Sequence, residues 1–329
     1  MGDFQSEKQL VLAFHSALDA ARPGAEGDVL AQFCTPLLRW RGYLPFGELS
    51  GTDSVAARFW APLRRALTRL RRRPDIFFAG RNEIDGFQSV WVVSMGHLYG
   101  LFDQPWLGIA PTGKMAFLRY AEFHRVQDGR IVETAMYFDI PHLMIQAGLT
   151  PFAGQRGAHL VQPGPATHDG LLTGPQPAAE GEATLALINR MISDLGQWRG
   201  ALPLEEELRR TWDEDMIWWG PAGIGATCTI ERYAQQHSGP FRAAFSERSG
   251  TGHVARLAEG HFGGFFGWPN FNAVHSGSYL GIEPTGKRCN FTVIDIYRRS
   301  GDRLAENWVF IDIPAFLEQI GHPLELEAP

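Results

Sequence analysis

Gly108–Met115 reads GIAPTGKM, and Gly281–Arg288 reads GIEPTGKR. Each run falls one residue short of a phosphate-binding loop, in which G-x-x-x-x-G-K is followed by Ser or Thr. Such a loop must open a helix, because helical N–H groups and the helix dipole hold the anion. After Lys114 the chain continues MAFLRYAEFHRV, which has the composition of a strand. Met115 and Arg288 lack the hydroxyl that would reach magnesium. VIDIY at Val293–Tyr297 could pass for a second nucleotide motif, but no room remains for a helix before it. Proline followed shortly by glycine is hairpin chemistry. Both runs are therefore predicted as turns between strands, with Lys114 and Lys287 solvated.

The near-identity of the two runs has a second consequence. At a constant shift of 173 positions Pro111 meets Pro284, Glu133 meets Glu306, Asp139 meets Asp312, Gln146 meets Gln319 and Gly148 meets Gly321. Over residues 108–148, 14 of 41 positions are identical without a gap, so the chain reads as a duplicated domain. A length of 329 residues accommodates two cores of ordinary size. The Pro- and Gly-rich stretch between the copies reads as a linker. The predicted domains are residues 1–150 and 181–329, joined by a linker over 151–180.

Each copy runs helices first and strands later, which is an α+β order. In copy one a helical pattern covers about Phe4–Ala21, and a second covers about Asp53–Arg73, broken or bent at Pro62. Strands follow from Asp75, with a hairpin turn at Asp128-Gly129. In copy two helices are predicted at Glu182–Leu195, Leu204–Trp212 and Ile230–Phe245. The arginines at 64, 65, 69 and 71–73 precede Pro74 and read as a solvated helix end.

Composition narrows the function. The net charge of −6 disfavours nucleic-acid and anionic-membrane partners. The N-terminus lacks a signal-peptide shape, and no apolar run is long enough for a membrane span. Three scattered cysteines form no metal or redox spacing, so a cytoplasmic location is expected. No dinucleotide fingerprint, metal motif or Ser-His-Asp order occurs, so no cofactor or metal is implied. Aromatic residues make up 12% of the chain, enough to line a cavity or fill large cores.

The run His275-Ser-Gly…Gly-Ile-Glu-Pro-Thr-Gly-Lys, then Glu306-Asn-Trp, Asp312 and Gln319-Ile-Gly resembles the SnoaL-like polyketide cyclases of the nuclear transport factor 2-like superfamily. Copy one matches less fully, through Gly96-His97, Gly108–Lys114, Glu133, Asp139 and Gln146-Ala-Gly. The resemblance implies two tandem cone-shaped domains, each with three helices packed on a curved antiparallel sheet around a pocket. It implies a small, largely apolar ligand and cofactor-free acid/base chemistry. It also implies an intrachain pseudo-dimer, with a homo-oligomer as a further option.

Strand alternation puts Leu118, Tyr120, Glu122 and His124 on one face, and Phe291, Val293, Asp295 and Tyr297 on the equivalent face. Either face lines a pocket or points outward; a pocket histidine at this position in the cyclases favours the pocket. An apolar pocket disfavours the carboxylate anion and raises its pKa toward neutrality. Ketosteroid isomerase, of the same superfamily, tunes carboxyl groups in this way. The sequence departs from the family at Met136 and Val309, where the cyclases' acid/base aspartate aligns. Glu122 and Asp295 are therefore the candidate catalytic acids. His97, His261 and His275 are candidate bases or donors, with the counterpart of His97 left open between the other two. Trp40, Tyr120, Trp219, Thr134 and Asn307 are candidate substrate contacts. Asp139 and Asp312 are further candidates, although each precedes Ile-Pro and a short helix, which is N-cap chemistry. The leading reading is a cyclase, isomerase or dehydratase type of enzyme on a carbonyl compound. The alternatives are a non-catalytic binding or scaffold protein, or one active copy beside an inactive one.

Overall fold

The computed structural model describes residues 4–196 and 202–329. In the first half the elements are α1 (Gln5–Ala20), α2 (Glu26–Phe33), β1 (Cys34–Gly42), β2 (Gly47–Ser50), α3 (Thr52–Val55), α4 (Ala61–Ala66), β3 (Leu67–Arg81), β4 (Val90–Phe102), β5 (Met115–Gln127), β6 (Arg130–Phe138) and α5 (Ile140–Gln146). The second half holds α6 (Ala178–Gly196), α7 (Leu204–Leu208), β7 (Trp212–Trp219), β8 (Ala226–Cys228), α8 (Ile230–Tyr233), α9 (Gly239–Ala244), β9 (Phe245–Gly250), β10 (Ala255–Glu259), β11 (Phe262–Phe266), β12 (Phe271–His275), β13 (Arg288–Phe291), β14 (Val293–Ser300), β15 (Arg303–Ile311) and α10 (Ile313–Ile320). Among the described residues, no helix is long and apolar enough to cross a membrane.

The first sheet has the order β2-β1-β6-β5-β4-β3. Its pairs are antiparallel except β1 with β6, which is parallel. The second half repeats this as β10-β11-β14-β15-β7-β8, again with one parallel pair, and adds a small sheet β13-β12-β9. The long β4 of the first half is thus divided into β11 and β12 in the second. These are two α+β domains in tandem, each built on a six-stranded, mostly antiparallel sheet.

Both opening motifs are turns. GIAPTGKM connects β4 to β5, and GIEPTGKR connects β12 to β13. In each, a Leu-Gly pair takes left-handed backbone, Leu107 and Gly108 at φ 53° and 78°, Leu280 and Gly281 at 52° and 79°. Only a glycine adopts this freely at the second position, which accounts for its place in both runs.

Some local expectations shift. The helix predicted over Asp53–Arg73 ends at Ala66, so Arg69 and Arg71–Arg73 lie in strand β3, not at a helix end. Pro62 does not break it; it sits in the first turn of α4, after a wide helical turn over Ala56–Trp60. The predicted Leu204–Trp212 helix stops at Leu208, and Trp212 opens a strand.

The two large sheets pack back to back. Phe266 of the second domain contacts Trp91, Phe123 and Tyr137 of the first, and Trp268 stacks on Tyr137. Ile294, Ile296, Trp308 and Phe310 join the first domain's core cluster. Their sequence neighbours Asp295, Tyr297, Asn307 and Val309 face the opposite way, into the second domain's concavity. The period of two along a strand accounts for both surfaces at once. The segment between the domains crosses this seam: Leu171 bridges to Phe77, and Ala158 to Ala226.

Candidate functional site

The interiors of the two domains differ. In the first, the concave face carries Tyr120, Glu122 and His124 on β5, all essentially without solvent exposure. Arg72 reaches in from β3 and donates to both Glu122 oxygens, at 2.6 and 3.3 Å. The same guanidinium lies 4.6 Å over the Tyr120 ring, whose hydroxyl meets Ser94 Oγ at 2.9 Å. His15 Nε2 from α1 and His124 Nε2 lie 3.0 and 3.4 Å from Glu122 Oε2, while His124 Nδ1 meets Thr134 Oγ1 at 2.9 Å. Burial opposes the charge on Glu122, but the permanently charged Arg72 beside it offsets this and holds the carboxyl well below its ordinary range. The expectation of a raised pKa at Glu122 is therefore corrected.

His15, Glu122 and His124 also have the donor types and spacing of a metal site. The field there is wrong for a cation. Arg72 already takes both carboxylate oxygens, and its fixed positive charge beside them opposes a metal cation. We read the group as a buried ion-pair network that fills the first concavity.

The second domain instead holds an open cavity of about 500 Å³. Trp218, Tyr233, Phe241, Phe265 and Phe291 form much of its wall, with Asp295, Asn307, His237, His253 and three arginines among its polar groups. Asp295 is half-buried, and its accessible surface faces the cavity. Burial pushes its carboxyl up to about 7, against the opposing hydrogen bonds of Asn307 and Tyr297. Asn307 Nδ2 lies 3.3 Å from its Oδ1. Val309 is its register partner on β15, as Met136 is the register partner of Glu122 on β6. Asp295 therefore sits directly across from one of the two positions at which the cyclase aspartate aligns.

The remaining candidates separate. Thr134 belongs to the Glu122 network and Asn307 to the cavity. Trp40 packs on Phe59 in the first core, at 4.9 Å between centroids. Trp219 pairs with Trp308 and packs against the core on the sheet's back; Trp218, one residue earlier, faces the cavity. Trp40 pairs with Thr134 as Trp218 pairs with Asn307, and each stands two residues before a glycine. That spacing is the signal by which Trp218 could have been selected over Trp219.

None of the three candidate histidines lines the cavity. His97 is on the opposite face of the first sheet from Glu122, 3.3 Å from Asp75. His261 is an exposed turn residue beside Arg299 and Glu180. His275 packs between Phe245 and Phe316 and meets Thr285. Ser94 pairs with Glu122 and Phe265 with Asp295, which puts the place of His97 beyond the end of β11; His261 lies beside Arg299 and His275 beside Lys287, so neither histidine stands there. The cavity histidines are His237 and His253, which sequence reasoning missed. His237 follows Tyr233 and precedes Phe241 at helical spacing, a stripe that could have drawn notice. His253 lies outside regular structure and offers no such pattern.

Asp139 and Asp312 cap α5 and α10, and each also reaches across the seam. Asp139 accepts from His142 N and from Ala222 N, at 3.1 and 2.9 Å. Asp312 accepts from Ala315 N and from Leu44 N, at 3.1 and 3.0 Å. Neither lines the cavity. Arg119 crosses the same seam, donating to the carbonyls of Val309 and Trp219.

A family model for a SnoaL-like domain matches residues 11–134, and one for SnoaL-like polyketide cyclase matches residues 268–320. Solved structures similar to the chain include a putative SnoaL-like polyketide cyclase from Jannaschia sp. CCS1, at 23% identity and a TM-score of 0.37 over 45% of this chain and 94% of that one. Another is IdmH, a putative polyketide cyclase from Streptomyces antibioticus, at 15% identity and 0.35 over 43% and 97%. A third is AclR, a putative hydroxylase from Streptomyces galilaeus, at 17% identity and 0.36 over 46% and 86%. No curated protein matches the chain.

Proposed function

In a chain whose two halves each carry a SnoaL-like domain, we propose that the second domain catalyses and the first supports it. The proposed reaction is proton transfer on a small, largely apolar carbonyl compound, of the cyclisation, isomerisation or dehydration type. Asp295 is the acid/base. A carboxyl poised near neutrality can accept a proton in one step and return it in the next. The observation that carries the reading is this carboxyl, pushed up to about 7, in an aromatic cavity opposite Val309. Asn307 would orient it. Glu122 has no such role, because Arg72 holds it as an anion away from solvent.

A direct test is α-hydrogen exchange of a small apolar ketone, 2-tetralone, in deuterated buffer, followed by NMR. Exchange above the buffer rate is expected, with a loss of roughly 10²–10⁴-fold in Asp295→Asn and little change in Glu122→Gln. Equal rates in wild type and Asp295→Asn would refute the assignment. A bound ketone with no exchange above buffer would instead favour a binding protein.

A further inference from the structure

We propose that His253 is the hydrogen-bond donor to the substrate's carbonyl oxygen, and that the first domain positions it through Glu83 and Arg256. The proposal rests on Asp295 being the acid/base, and adds the electrophilic half of the site. The His253 ring lies flat on Phe265, with 4.0 Å between centroids and 8° between planes. Phe265 is the register partner of Asp295, on the same face of the sheet. The imidazole and Asp295 therefore both adjoin Phe265 on the cavity wall. A carbonyl compound deprotonated by Asp295 develops its negative charge on oxygen, and a pre-positioned donor stabilises that charge.

The tautomer follows from the neighbours. Arg256 Nε donates to His253 Nδ1 at 3.2 Å, so that nitrogen keeps its lone pair and the ring proton lies on Nε2. Burial, and then Arg256, keep the ring neutral, pushing it down to about 3. A neutral imidazole polarises a carbonyl without surrendering a proton to solvent, as in triosephosphate isomerase. Arg256 is held in turn: its Nη1 donates to Asn189 Oδ1 at 2.6 Å and to Glu83 Oε2 at 3.3 Å, and Asn189 Nδ2 donates to Glu83 Oε1 at 2.7 Å. Arg256 N donates to Asn82 Oδ1 at 3.0 Å. Asn82 and Glu83 belong to the first domain. The tandem arrangement thereby acquires a chemical purpose. Glu83 is a positioning residue two contacts removed from His253.

The test uses the full chain and 2-naphthol, whose oxyanion stands in for an enolate and whose ionisation is read by absorbance. Wild type should raise the ionised fraction of bound 2-naphthol at least about tenfold over that in water. His253→Phe, which keeps the stacking on Phe265, should abolish the rise while naphthalene still binds. Glu83→Gln should reduce it. The exchange of 2-tetralone reads Asp295 and the ionisation of 2-naphthol reads His253, so failure of the acid/base reading and failure of this one are separable. Nitrogen-15 NMR should show His253 as the Nε2–H tautomer at neutral pH. An imidazolium or Nδ1–H signal overturns the proposal. So does a wild type without the rise, or a rise lost in His237→Phe but kept in His253→Phe.

Discussion

Asparagine at position 295 should make the protein more stable in alkaline solution while removing its proposed chemistry. The carboxyl stands at about 7 in the folded chain against an ordinary 3.8. Between these values the folded protein holds a proton that the unfolded chain has released. Stability is therefore lost as pH rises through this window and levels off above the folded value. A displacement of about three pH units corresponds to at most about 4 kcal/mol, and water in the cavity screens this toward about 2 kcal/mol. Asparagine keeps the shape and cannot ionise. Urea unfolding of both proteins, followed by tryptophan fluorescence from pH 5 to 8, should show the stability of Asp295→Asn minus wild type widening by about 0.5–2.5 kcal/mol, the part of the displacement that lies above pH 5. Both proteins should keep a residual slope, because burial also pushes Asp312 up to about 7. A difference independent of pH, or a variant less stable at pH 8, would refute the reasoning that burial sets the charge state of this carboxyl.

Arg72→Met should destabilise the first domain by about 3–5 kcal/mol, because it strands Glu122 in a dry interior, and Arg72→Met/Glu122→Leu should recover most of this in the same unfolding assay. Asp139→Ala and Asp312→Ala should each cost about 1–2 kcal/mol, since each removes a helix cap and a bond to the other domain. Trp218→Ala should weaken 2-tetralone binding measured by calorimetry, whereas Trp219→Ala should lower thermal stability and leave that binding intact.

Much of the fold was legible because its signals are local. The Leu-Gly turns, the Pro-Gly runs and the strand alternation lie within a few residues of one another, and the repeat presents them twice. Alternation grouped Glu122 and Asp295 with their face neighbours, and the resemblance to the cyclases turned those faces toward the concavities. It did not extend to their charge. Arg72 decides that of Glu122, and it comes from a segment that reads as a helix end but forms β3. Trp218 and Trp219 differ by one residue, and with a period of two that selects opposite faces of the sheet. The His253 environment was out of reach for a different reason. It combines a loop, a strand 12 residues later and a turn from the other domain.

What the sequence determined by itself is therefore the duplication, the hairpins and which residues share a strand face, all governed by backbone preferences over short spans. Only the tertiary structure decided which concavity is filled and which is open, and which carboxyl is ionised. Desolvation and Coulomb interaction depend on the distance between side chains in space. For Glu122 that distance is set by Arg72, 50 positions away along the chain, and for Asp295 by aromatic walls drawn from helices and strands throughout the second half.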